Sequence, residues 1–146
     1  MNRDFRQTVW DRQLEEDWQA ILRLAVQEDL GRAGDWTTRA LVPEHTVGRA
    51  AIVARESGAI AGLPAVGATF REIEPLLNWT PAVDDGHRVA AGDVLGQLEG
   101  PARGLLSGER LALNLLGHLS GIATLTRAYV EAVAGTGARI YDTRKT

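Results

Sequence analysis

The sequence predicts an α+β fold in which helices flank a small antiparallel sheet, and the chain closes on the first strand of an α/β unit. Three observations carry this prediction. Apolar residues recur at three- and four-residue steps over residues 11–29 and again from Ala102, as on the buried face of a helix. The segment 78–99 reads as β, with Asp85–Gly86 and Ala91–Gly92 as turn signals between short strands. Last, ARIYD at 138–142 is a short strand-like run behind a helix.

Each element follows from its residues. Trp10, Leu14, Trp18, Ile21, Leu22, Ala25 and Val26 mark the first helix, with Gly31 as its C-terminal cap. RAGDWTTRALVP, closed by Pro43, reads as an ordered loop. Residues 48–56 suit a strand and Ser57–Gly58 a turn. Pro64 opens a second helix whose apolar face is Leu63, Val66, Phe70 and Ile73, and Pro75 ends it. In the β region, Val94, Gly96 and Leu98 are expected on one face and Leu95 and Gln97 on the other. From Ala102 a helix presents Leu106, Leu113, Leu116 and Leu119. Ser120–Gly121 is expected to break it, and a further helix bearing Ile122, Leu125, Tyr129 and Val133 ends at Gly135. The expected core is Trp18, Leu22, Val66, Phe70, Val94, Leu113, Leu116, Ile122 and Leu125. Parallel strands need neighbours reached by crossovers, so the closing strand predicts the front part of a longer protein.

Composition narrows the function. A chain of 146 residues, 45% hydrophobic and 24% charged, is of one-domain size and too apolar to be disordered. Sixteen basic against nineteen acidic residues, a net charge of −3, argue against a nucleic-acid partner. With no cysteine, disulfides, thiolate chemistry and zinc–cysteine sites are excluded. The longest uncharged run, Leu111–Thr126, contains Asn114, His118 and Ser120 and falls short of the ~18 apolar residues of a membrane span. No secretory h-region opens the chain. A cytoplasmic protein without a membrane partner is expected. Of the sixteen basic residues fifteen are arginine; the one lysine is Lys145.

Several reaction classes drop out by motif. There is no phosphate-binding G-x-x-x-x-G-K-[ST] loop and no G-x-G-x-x-G after a strand. His45, His87 and His118 lack H-E-x-x-H spacing, and no G-x-S-x-G elbow exists. Three polar sets remain. Arg110, Asn114 and His118 share one helix face at i, i+4 and i+8, with Glu109 beside Arg110. Spacing alone leaves open a ligand face or a plain solvated or subunit-facing stripe. Asp142, Thr143, Arg144 and Lys145 follow the last strand, where α/β folds bind ligands; an arginine–lysine pair suits a small polyanion, and an exposed charged tail is the other reading. Glu28–Asp29 and Asp35 flank a tight loop, where capping and loop packing outweigh metal binding.

Taken together, EDLGRAGDWTT (28–38), ARESGAIAGL (54–63), DDGHRVAAGDVLGQLEGPARGLLSGERLALNLLGHLSGIATLT (84–126) and DTRKT (142–146) resemble the N-terminal part of quinolinate phosphoribosyltransferases, the nicotinate-nucleotide pyrophosphorylases of NAD biosynthesis. The resemblance covers about residues 20–146. It implies an N-terminal α+β domain with a small antiparallel sheet over residues 1–115, which covers a substrate site. It further implies the start of an incomplete α/β barrel over 116–146, with the rest of the barrel missing. It implies a pentosyltransferase that joins quinolinate to phosphoribosyl pyrophosphate, with Mg2+ accompanying the pyrophosphate substrate. Its metal ligands would lie outside this chain. It also implies a homodimer or larger assembly with shared sites. The E-R-x-x-L-N motif makes Arg110 a quinolinate contact reaching across the dimer. The D-T-R-K-T motif makes Thr143, Arg144 and Lys145 substrate contacts. No catalytic residue is assigned. The chain by itself is expected to be inactive. A related phosphoribosyltransferase with another base, a carrier-like module and a non-catalytic dimerisation module remain alternatives. The absence of lysine between Met1 and Arg144 counts against a swinging-arm carrier.

Overall fold

A computed structural model describes residues 10–31 and 33–141. Helix α1 (Arg12–Leu30) starts where Asp11 accepts a hydrogen bond from the Leu14 amide, 2.9 Å, and stops where Gly31, at φ 59°, donates to the Gln27 carbonyl. Helix α2 (Trp36–Leu41) stands where the sequence suggested a loop. Six residues are too few to show a helical period. The short helix rests instead on its cap, in which Asp35 accepts from the Thr38 amide at 2.9 Å.

Strands β1 (Val47–Val53), β3 (Asn78–Pro81) and β5 (Val94–Pro101) form an antiparallel sheet in the order β1-β5-β3. Strands β2 (Gly58–Ala59) and β4 (Arg88–Val89) make a second, two-stranded antiparallel sheet. Gly58 therefore opens a strand rather than closing a turn. Helix α3 (Leu63–Ile73) carries Pro64 in its first turn. Its first amides are capped from a distance: the Asp85 carboxylate accepts from Gly62 and Leu63, both at 2.9 Å. Asp85, expected only to make a turn, thus also fastens the hairpin to α3.

Helix α4 runs unbroken from Ala102 to Ala132, against the expected break at Ser120–Gly121. A lone glycine inside a helix costs only ~1 kcal/mol. Here the Ser120 hydroxyl is engaged by the Ala61 amide at 3.1 Å, and one turn on Thr124 Oγ1 accepts from Ala59 at 2.9 Å. These bonds hold the helix against the β2 segment through the position where a break was expected. The junction expected between residues 115 and 116 falls within this helix.

Close packing explains the glycines at the centre. A methyl on Gly104 would sit 2.5 Å from Glu74 Cβ, and one on Gly108 2.7 Å from the Phe70 ring. The two glycines, four apart, let α4 lie directly on α3. A methyl on Gly96 would meet the Trp79 ring at 2.2 Å, so glycine there makes room for the indole against β5.

The core lies between the three-stranded sheet, α3 and α4, with Val66, Phe70, Leu95, Leu98, Ala112 and Leu116 at its centre. Of the expected core, Leu22, Val66, Phe70 and Leu116 are buried and Trp18 is half-buried. Val94, Leu113, Ile122 and Leu125 are exposed, 40%, 42%, 53% and 60%. For Val94 the cause is a register shift between Ile52 and Val53, where Val53 pairs with Val94 but Ile52 with Gly96. The extra residue, Leu95, turns inward together with Leu98, which strict alternation forbids. Leu113, Ile122 and Leu125 do lie in a helix, but in the unbroken α4 they do not share one face, since Leu113 and Ile122 are about two and a half turns apart, and each stays exposed. Residues 138–141, expected in a strand, pair with no other strand among the described residues and are irregular; Asp142 lies outside them.

Candidate functional site

Helix α4 presents a polar stripe at Arg103, Ser107 and Arg110, spaced four and three apart, to the last turn of α1 and the two ends of α2. Arg103 donates through Nε to the Val42 carbonyl (2.9 Å) and through Nη2 to the Arg39 carbonyl (3.1 Å). A guanidinium thereby satisfies carbonyls at the C-terminal end of α2, where the helix dipole favours a cation. Ser107 Oγ donates to Asp35 Oδ2 at 3.0 Å. Arg110 Nη1 lies 3.3 Å from Asp29 Oδ1, in the last turn of α1. The EDLGRAGDWTT stretch thus meets α4 at two points, Asp29 and Asp35, and Arg103 adds contacts to the end of α2 just beyond it. The sequence reading missed Arg103. The signal was present as the 103/107/110 spacing, which only becomes meaningful once the opposite segment is known to lie there.

Asp35 serves both α2 and α4. Thr38, through its side chain and its amide, holds the Asp35 carboxyl below its ordinary value of 3.8; Ser107 and the Arg110 charge add to this, and partial burial opposes it. The folded-state value is depressed, so the stabilisation is present above pH ~3.8 and is lost as pH falls through the lowered value. Asp35→Ala should cost about 0.5–2 kcal/mol at pH 7, the usual worth of an N-cap. The difference from wild type should narrow on acidification towards pH ~3. Urea denaturation at both pH values measures it; an equal deficit at both would disprove the carboxylate's role.

The capping role expected of the acidic pair therefore divides. Asp35 caps, whereas Asp29 is an ion-pair partner. Arg110 points away from the core, with its side chain 76% exposed, and Asp29 beneath it is 16% exposed. Asn114 and His118 share the exposed face and make no hydrogen bond or ion pair among the described residues. Glu109 is exposed beside a groove of about 820 Å³ between α4 and β1. Thr143, Arg144 and Lys145 lie outside the described residues. Among the described residues no group of three or more His, Asp or Glu side chains is placed to hold a metal ion, and no helix is long and apolar enough to cross a membrane.

Fold and site define an α+β domain that displays an arginine from a long helix, anchored from below by a carboxylate. Residues 35–120 match the family described as quinolinate phosphoribosyl transferase, N-terminal domain. A probable nicotinate-nucleotide pyrophosphorylase (carboxylating) of Synechocystis is 46% identical over 119 residues, 82% of this chain and 40% of that protein. The nicotinate-nucleotide pyrophosphorylase of Mycobacterium leprae is 45% identical over 127 residues, 86% of this chain and 45% of that protein. Crystalline NadC from Streptococcus pyogenes superposes with a TM-score of 0.88 at 34% identity, covering 96% of this chain and 48% of that one. The chain belongs to the quinolinate phosphoribosyltransferase family and matches its N-terminal domain. It spans under half the length of these relatives.

Proposed function

We propose that this chain supplies part of the site of an enzyme that transfers phosphoribosyl from phosphoribosyl pyrophosphate to quinolinate, with decarboxylation to nicotinate mononucleotide. The observation that carries the reading is Arg110: in a domain of this family, the E-R-x-x-L-N arginine is exposed and held at one end only. Quinolinate brings two carboxylates, which a planar guanidinium recognises through paired hydrogen bonds. Thr143, Arg144 and Lys145 are proposed as further substrate contacts, and residues 116–146 as the lead into a barrel that residues 1–115 cover.

In this reading the quinolinate nitrogen forms a bond to the ribosyl carbon as the carbon–pyrophosphate bond breaks. The ring nitrogen becomes cationic and its charge stabilises the electron pair left on the adjacent carbon when the carbon–carboxylate bond breaks, so carbon dioxide leaves and that carbon takes up a proton. Arg110 holds a carboxylate so that the nitrogen meets the sugar in line, an orientational contribution. Magnesium would neutralise the pyrophosphate; among the described residues no cluster of three carboxylate or imidazole groups fits such an ion.

A cytoplasmic homodimer or larger assembly with shared sites is part of the proposal. The exposed apolar face of Ile122, Leu125 and Tyr129 on α4 supports a covered partner face there. The test incubates the full-length polypeptide with quinolinate, phosphoribosyl pyrophosphate and magnesium and follows carbon dioxide and nicotinate mononucleotide. Turnover is expected there and none from the 146-residue chain alone. Full-length turnover of another base, but not quinolinate, would overturn the substrate assignment. Inactivity with every base would favour a non-catalytic module.

A further inference from the structure

We infer that Asp29 is a positioning residue: it tethers one end of the Arg110 guanidinium and so aims the opposite edge at a substrate carboxylate. The inference rests on the proposed role of Arg110 and adds a residue to it. Asp29 Oδ1 meets Nη1 alone, at 3.3 Å. The Nε–Nη2 edge, the side-on edge that pairs with a carboxylate through two parallel hydrogen bonds, takes no part in that contact. The arginine is 76% exposed and its long stem is free to rotate, whereas Asp29 is only 16% exposed and sits on a regular helix. The tether therefore joins a mobile group to a fixed one.

Stability does not account for an aspartate at this position. Asp29 lies in the last turn of α1, which contains no basic residue. The C-terminal end of a helix dipole disfavours a negative charge, and aspartate is a weak helix former. An ion pair with a partner as exposed as Arg110 returns little. Asp29 thus breaks a local rule, as residues retained for a site do. The second carboxylate nearby, Asp35, is occupied by the Thr38 amide and the Ser107 hydroxyl. Asp29 is consequently the group that contacts Arg110.

The test measures steady-state kinetics of the full-length polypeptide carrying Asp29→Ala, Asp29→Asn, Arg110→Ala, or Asp29→Ala with Arg110→Ala. Asp29→Ala should raise KM for quinolinate about 3- to 10-fold, the worth of one hydrogen bond, with kcat nearly unchanged. Asparagine keeps an acceptor oxygen and should restore most of the wild-type KM. In the Arg110→Ala background, Asp29→Ala should add nothing. The melting temperature of Asp29→Ala should not fall, because the deleted charge opposed the helix dipole. An unchanged or lowered KM in Asp29→Ala, or asparagine as defective as alanine, would overturn the tether while leaving Arg110 in the site. If Arg110→Ala itself leaves KM and kcat/KM for quinolinate unchanged, the functional reading of Arg110 fails, and the tether with it.

Discussion

Phe70→Ala is expected to destabilise the domain by about 3–5 kcal/mol, the usual cost of deleting a buried aromatic ring. Phe70 is 2% exposed and lies between α3 and α4, with its ring against Gly108. A bare glycine lies opposite, so α4 offers no side chain at that position to fill the space. Part of the void can be refilled by design: Gly108→Ala, which would clash with the wild-type ring at 2.7 Å, should recover part of the stability in the Phe70→Ala background. Leu125→Ala, on the exposed apolar face of α4, is the control, expected within ~0.5 kcal/mol in the isolated chain. Urea denaturation of the four variants measures this. A Phe70→Ala cost below ~1 kcal/mol would mean that α3 and α4 do not meet as described. Since a domain's whole stability is about 5–15 kcal/mol, the predicted loss is a large share of it.

Arg110→Ala in the full-length polypeptide should lower kcat/KM for quinolinate by about 10- to 150-fold. That range corresponds to one charge-assisted hydrogen-bond set of ~1.5–3 kcal/mol. Folding should change little, because the substitution removes an exposed ion pair, and such pairs are typically worth under ~1 kcal/mol. Activity and stability should therefore separate. Arg110→Lys should recover only part of the activity, since an ammonium keeps the charge but not the planar fork. An unchanged kcat/KM for quinolinate in Arg110→Ala would remove Arg110 from the site.

The family was legible in the sequence because its motifs survive as contiguous strings, from EDLGRAGDWTT to the E-R-x-x-L-N segment. Arg110 was legible in the same way. Its neighbours were not: Asp29 is 81 residues away in the chain, and nothing local says that the end of α1 meets the middle of α4. Arg103 was missed for the same reason, its acceptors lying 61 and 64 residues away. The roles of Thr143, Arg144 and Lys145 still rest on motif alone.

The sequence by itself determined what acts over a few residues. Apolar periodicity set α1, α3 and the start of α4; Gly31, Pro64 and the Asp85–Gly86 turn marked boundaries, because capping and turn geometry are local. Tertiary structure decided what depends on a partner across the fold. It turned Leu95 and Leu98 to the same side through a register shift against β1, a matter of pairing rather than of alternation. It carried α4 straight through Ser120–Gly121, because bonds to Ala61 and Ala59 hold the helix there. It left Leu113, Ile122 and Leu125 exposed, because periodicity shows which positions of a helix are apolar but not what they meet.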